Sequence, residues 1–226
     1  HDEMRVGEIV TEGPMTVEVR CRGVGGGERE DEALIAAAGR GTIGEVRRLV
    51  EAGANIHSAD RSGRTPLHES ASHGQLEISQ MLVRLGCNLD AKDNDGETPL
   101  HWAILSHNNS VEVTQMLLGA GANVNATDNM GYTPLHMNGH VEVSQMLVGA
   151  GANVHATNNE RWGVLHLSAT RNVVALSEML VEAGANLEAM DNTGKTPLHR
   201  SSMHNEPEVC RMLVRAGANI HATDQY

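Results

Sequence analysis

The sequence contains no phenylalanine, and Trp102, Tyr132, Trp162 and Tyr226 are its only aromatic residues. One compact core in a chain of 226 residues normally uses large rings, so Leu, Val, Ala and Met must fill the interior here. That supply suits thin layers of packed helices, or a string of small repeats rather than one thick domain. Cysteine is nearly as scarce. Cys21, Cys87 and Cys210 are far apart, odd in number and show no C-x-x-C spacing. The expected setting is reducing and intracellular: the cytoplasm, with the nucleus left open. No apolar run approaches the ~18 residues that span a bilayer. The opening HDEMRVGEIV lacks the basic start and long apolar stretch of a signal peptide, and a chain beginning with His reads as a fragment or processed product.

Positive charge is in the minority, with a net charge of −12. Nucleic-acid backbones need a basic patch, and anionic membrane surfaces attract cations, so neither is an expected partner. Catalytic signatures are missing as well. The stretch GVGGGERE lacks the Lys-Ser/Thr of a phosphate loop and does not lie between a strand and a helix. There is no G-x-S-x-G. Asp and Glu recur at turns and helix starts, as caps rather than paired acids. Cys87 and Cys210 read as small packing residues. The chain is therefore read as no enzyme, with no cofactor and no metal.

What the sequence has is repetition, the first thing to seek. Gly-Ala/Cys-Asn begins at Gly53, Gly86, Gly121, Gly151, Gly184 and Gly217, at intervals of 33, 35, 30, 33 and 33. T-P-L-H begins at Thr65, Thr98, Thr133 and Thr196, and NNERWGVLHLSA is a degenerate copy. Thr before Pro reads as an N-cap before a proline in the first helical turn. Leu67, Leu100, Leu135, Leu165 and Leu198 begin the buried face of an inner helix. Leu76, Met81 and Leu82, with Val113, Met116 and Leu117 and with Val143, Met146 and Leu147, mark an outer helix at helical spacing. The Gly of each tripeptide sits where a left-handed C-cap residue is wanted. Asp-x-x-Gly between units reads as a tight hairpin turn.

A period near 33 carrying T-P-L-H resembles the ankyrin repeat, over about Asp31 to Tyr226. The resemblance implies an all-α ankyrin-repeat solenoid. Residues 31–59 would form a capping repeat, followed by repeats at 60–92, 93–127, 128–157, 158–190 and 191–223. Residues 224–226 would open a further repeat, so at least one more is expected to follow. Residues 1–30 lie outside the array, as a loose tail or as a small β element in which MTVEVRC alternates.

The copy TPLHMNGHVEVSQML is the shortest. Its inner helix is expected to shrink to about one turn, with the longer Ser106–Ser110 turn leaning toward the gap. The shortening also puts His136 and His140 four residues apart, the spacing of a shared metal on a helix. No third ligand is evident, and Gly139 disfavours a continuing helix, so the T-P-L-H imidazole is expected instead to bond loop backbone across neighbouring repeats.

The resemblance implies a concave surface made of hairpin tips and inner helices. The residues before T-P-L-H or its counterpart run Arg64, Glu97, Tyr132, Trp162 and Lys195. Those after its His run Glu69, Trp102, Met137, Leu167 and Arg200. Large apolar groups fall in the middle of both rows and charges at the ends, as in an interface with an aromatic centre and a polar rim. Trp102, Tyr132, Trp162, Met137 and Leu167, rimmed by Arg64, Glu97, Lys195 and Arg200, are the candidate partner-binding residues. Ordinary packing between hairpins is the competing reading. The hairpin with Arg161 in place of Gly is expected to be the least regular. The resulting function is that of a monomeric protein-binding scaffold or adaptor; a regulatory segment of a larger enzyme or ion channel is the alternative.

Overall fold

The computed structural model describes residues 27–106, 110–137, 140–204 and 207–224. The readings for residues 1–26, including Cys21, for the 107–109 turn, for 138–139 and for Tyr226 lie outside them. Twelve helices are found among the described residues. The inner ones are α1 (Glu28–Arg40), α3 (Pro66–Ser72), α5 (Pro99–Leu105), α7 (Pro134–Met137), α9 (Val164–Thr170) and α11 (Pro197–Met203). The outer ones are α2 (Ile43–Glu51), α4 (Leu76–Arg84), α6 (Ser110–Gly119), α8 (Val141–Gly149), α10 (Val174–Glu182) and α12 (Pro207–Arg215). Inner helices pack in sequence on inner, outer on outer, and each inner helix on the outer helix that follows it. The result is an all-α, two-layer stack; among the described residues the extended backbone forms one isolated antiparallel bridge, Thr157 with Gly163. No described helix is long and apolar enough to cross a membrane.

Glu28 starts α1, so Glu28–Glu30, assigned above to the tail, belong to a helix with an acidic first turn. The core repeats with the sequence. Leu67, Leu100, Leu135 and Leu165 on the inner layer and Leu82, Leu117, Leu147, Leu180 and Leu213 on the outer are buried. Each such side chain is worth about 1.5–3 kcal/mol on burial, and much of its cover comes from neighbouring units. Buried Ala71, Ala103 and Ala169 let inner helices approach. The short α7 has four residues against seven in α3, α5, α9 and α11, and no such alanine follows its His.

Histidine locks the helix starts and joins the units. In α3, α5 and α11 the Thr is the N-cap, proline follows and His occupies the third helical position. The backbone N–H of Thr65, Thr98, Thr133, Gly163 and Thr196 donates to Nδ1 of His68, His101, His136, His166 and His199 at 3.0–3.2 Å. Nδ1 is therefore an acceptor and the proton sits on Nε2. Nε2–H then donates to a carbonyl of the next hairpin: His68 to Glu97 (3.1 Å), His101 to Tyr132 (3.3 Å), His136 to Trp162 (3.2 Å) and His166 to Lys195 (3.1 Å). With both nitrogens engaged, His136 has none to offer a metal.

A second polar contact pins inner to outer layer. Ser79 donates to Ser70 (2.8 Å), Ser177 to Ser168 (2.9 Å), and Ser201 pairs with Cys210 (3.0 Å). Cys210 thus stands where a serine does in other units. In the 93–127 unit the inner partner is Ala103, and the buried Thr114 hydroxyl has no partner. An unsatisfied buried hydroxyl costs about 1–3 kcal/mol. Thr114→Val removes it at constant shape and should raise unfolding free energy by roughly 1 kcal/mol in urea. Ala103→Ser should help only while Thr114 is present; a double-mutant cycle showing additivity would contradict the pairing.

Candidate partner-binding surface

Each hairpin is organised by its leading residue. Asp60 Oδ1 accepts from the N–H groups of Ser62 and Arg64, Asp93 from Asp95 and Glu97, Asp128 from Met130 and Tyr132, and Asp191 from Thr193 and Lys195. Asn158 does the same for Glu160 and Trp162. The residue before T-P-L-H is thereby fixed in every copy. Neighbouring hairpins are then tied rung to rung. Asn94 N–H donates to Ser62, Asn129 to Asp95, Asn159 to Met130 and Asn192 to Glu160, at 2.9–3.0 Å. The same asparagines donate through Nδ2 to Arg61, Asn94, Asn129 and Asn159. Backbone bonds of this density make a preorganised platform.

In two hairpins the second carboxylate oxygen of the leading Asp reaches the residue after His. Trp102 Nε1 donates to Asp93 Oδ2 at 2.9 Å. Arg200 donates to Asp191 Oδ2 through Nε at 2.7 Å and also through Nη2. Arg64 bridges Glu69 (2.9 Å) and Asp60 (3.4 Å). The arginines also cover rings of adjacent units: the Arg64 guanidinium lies 5.5 Å from the Trp102 ring centre and that of Arg200 4.1 Å from Trp162. Such contacts are each worth about 0.5–2 kcal/mol. Tyr132 stands edge-on to His136, with ring centres 5.7 Å apart. Burial pushes the Asp191 carboxyl up, but hydrogen bonds from Thr193 and Arg200 outweigh it and hold the group at about 2. Glu97 is pushed above the usual carboxylate range by burial and by Asp93, Asp128 and Asp95.

Eight of the nine candidate residues are half-buried: Arg64, Glu97, Trp102, Tyr132, Met137, Trp162, Lys195 and Arg200. Met137 packs partly on the core, and Lys195 pairs with Asp224 at 3.3 Å. Leu167 is the exception. It is buried, 9% exposed, but lies outside the main hydrophobic core. Leu167 has no polar atom to bond the leading residue of its hairpin, Asn158, as Trp102 bonds Asp93. Burial is then the favourable state for an apolar side chain. Sequence reasoning missed Met130, 58% exposed at the tip of the central hairpin. Its position between Asn129 and the turn glycine was the available signal.

The model of ankyrin repeats, three copies, matches residues 17–93, 85–158 and 136–224. The chain belongs to the ankyrin-repeat family. Among solved structures, 565 chains match, so the likeness identifies an architecture rather than one activity. One is a chain of the complex of a predatory endopeptidase from Bdellovibrio bacteriovorus with an immunity protein. It has a TM-score of 0.74 and 26% identity, over 81% of this chain and 97% of that one. No curated protein matches.

The degenerate ankyrin hairpin keeps its bonds. Asn158 N–H donates to Trp162 and Arg161 N–H to Asn158, at 3.0 and 2.9 Å. The expected irregularity shows at Arg161, at φ +62° where other units have glycine at φ +76 to +83°, and in the isolated Thr157–Gly163 bridge. A side chain in this region costs about 1 kcal/mol or more. At Gly96 and Gly131 an added Cβ would come within 2.8–2.9 Å of the next asparagine's backbone nitrogen. The asparagine rung after Arg161 is correspondingly long, 3.4 Å from Asn192 Nδ2 to Asn159. Arg161→Gly should therefore raise the urea midpoint, with a gain of about 1 kcal/mol; a lower midpoint would show the arginine to be a stabilising contact.

Proposed function

We propose that this ankyrin array is a protein-binding scaffold or adaptor that holds a partner on its concave hairpin and inner-helix surface. The observation that carries the reading is the bonded hairpin row, which presents half-exposed Trp102, Tyr132 and Trp162 and exposed Met130 at fixed spacing. Rigid aromatic groups set among charges are the usual anchors of protein interfaces, and preorganisation lowers the entropy lost on binding. Met137 and the charged Arg64, Glu97, Lys195 and Arg200 complete the contact set. The solved chain it resembles comes from a complex between proteins, which supports the same class of function. The reading places the array in the cytoplasm, as a monomer.

The test is capture from lysate of the parent cell on three baits: the chain, Met130→Glu, and the triple variant Trp102→Ala, Tyr132→Ala, Trp162→Ala, each checked by circular dichroism. A protein held by the first and lost from both folded variants is expected. Equal retention by Met130→Glu and a folded triple variant would remove the hairpin row as the site.

A further inference from the structure

The Asn of a Gly-Ala/Cys-Asn tripeptide meets the preceding unit at six junctions, and four of them are closed alike. The backbone N–H of Asn55 donates to Asp31 Oδ1, that of Asn123 to Asp90 Oδ1 and that of Asn153 to Asn125 Oδ1, all at 2.8 Å. Asn219 N–H donates to Glu188 Oε1 at 2.7 Å. At the other two junctions His57 and His155 stand where the acceptor stands elsewhere, and the N–H groups of Asn88 and Asn186 find no acceptor among the described residues.

Both of these junctions border a cleft, in equivalent places. The first, about 110 Å³, is lined by His57, Thr65, Cys87 and Asn88. The second, about 450 Å³, has His155, Gly163, Ala185 and Asn186 at the matching positions. It is larger where Gly163 replaces the threonine, and its size is within the range of ligand sites. Its apolar wall includes Val154, Val164, Ala189 and Met190, and Arg161 stands at it too. Met190 is 42% exposed. Glu188 also lines it, with Oε1 already accepting from Asn219. The donors left to meet a ligand are the Asn186 N–H, the Arg161 guanidinium and the His155 ring, beside Thr157 and the second oxygen of Glu188. The strained backbone of Arg161 is kept at this cleft, as strain often is at functional positions.

We infer that this cleft binds an acidic side chain, Asp or Glu, flanked by an apolar residue in a partner protein's segment. The carboxylate takes the place at Asn186 N–H that Asp31, Asp90 and Glu188 fill at other junctions, near Arg161. The apolar neighbour lies on Val154, Val164, Ala189 and Met190. Returning the unit to the regular pattern should destroy this site. Gly163→Thr fills the cleft without strain, since an added Cβ would come no closer than 3.6 Å to another atom. Arg161→Gly removes the cation, and His155→Asp supplies the missing acceptor from within the chain.

The cleft shares Arg161 and Gly163 with the hairpin that carries Trp162, but its test is separate from lysate capture. The probes are the blocked tripeptides Leu-Asp-Leu and Leu-Ala-Leu at millimolar concentration, followed through the amide resonances of the whole chain. Leu-Asp-Leu is expected to move the Asn186 amide and to bind about tenfold more tightly than Leu-Ala-Leu, as a charge-assisted hydrogen bond requires. Gly163→Thr and His155→Asp, both folded, should each abolish the shift. Equal binding of the two probes, no change at Asn186, or unaltered binding by Gly163→Thr would overturn the inference. None of these outcomes bears on Met130→Glu, which tests the hairpin row away from the cleft.

Discussion

Acidification from about pH 7 to about pH 4.5 is expected to cost the array several kcal/mol of stability, before most carboxylates protonate. His136 carries the clearest share. Burial lowers it from 6.5 to about 4, outweighing its bonds to the backbone of Trp162 and Ala156. Burial pushes His68, His101 and His166 the same way. The unfolded chain binds a proton at each site more readily than the folded one. The stabilisation is therefore complete above the unfolded value and fades as pH falls through the folded values. For His136 the difference corresponds to roughly 3 kcal/mol. The structural reason is visible at Nδ1: a protonated ring would point a proton at the Thr133 N–H that now donates to it. Glu97, raised by burial and by Asp93, Asp128 and Asp95, opposes the trend, because its folded form gains from protonation. Asp191, at about 2, loses its contribution only below the usual carboxylate range. Urea unfolding at the two pH values measures the net effect, and a flat profile would mean that these rings are solvated or protonated in the fold.

His101→Ala should destabilise the chain by roughly 3 kcal/mol. Truncation leaves the Thr98 N–H and the Tyr132 carbonyl without their partner and opens a cavity under a fully buried side chain. It also cuts the bond between the 93–127 and 128–157 units, where the four-residue α7 already offers the neighbour less surface. Unfolding should become broader, since coupling between units sets the cooperativity of a linear array. His57→Ala is the matched control. That ring is exposed, and its loss should change stability by less than about 0.5 kcal/mol. Equal effects of the two substitutions would remove the buried histidines as the ties between units.

Much of this was legible in the sequence, because the repeats impose the same local physics many times. Thr-Pro announces a helix start, the Gly of each tripeptide its end, and missing residues shorten α7 as they must. The role of the T-P-L-H histidine also followed, since a buried imidazole beside a loop needs backbone partners. What stayed hidden depends on pairs brought together by stacking. Arg64 meets Trp102 and Arg200 meets Trp162 across unit boundaries, so the charges read as a rim in fact cover the aromatic faces. Leu167, unlike Trp102, has no polar atom that could bond the residue leading its hairpin, and it is buried. Thr114 is unsatisfied because of Ala103, beyond a turn of altered length. The cleft beside His155 needs three departures from the pattern, at positions 155, 161 and 163, to coincide in space.

The central claim is that a partner sits on the hairpin row and inner helices. Amide hydrogen exchange of the chain, alone and saturated with a captured partner, tests it most directly. The account predicts slowed exchange in residues 93–98, 128–133 and 158–163 and in α5, α7 and α9, with little change in α6, α8 and α10. Protection confined to those outer helices would contradict it.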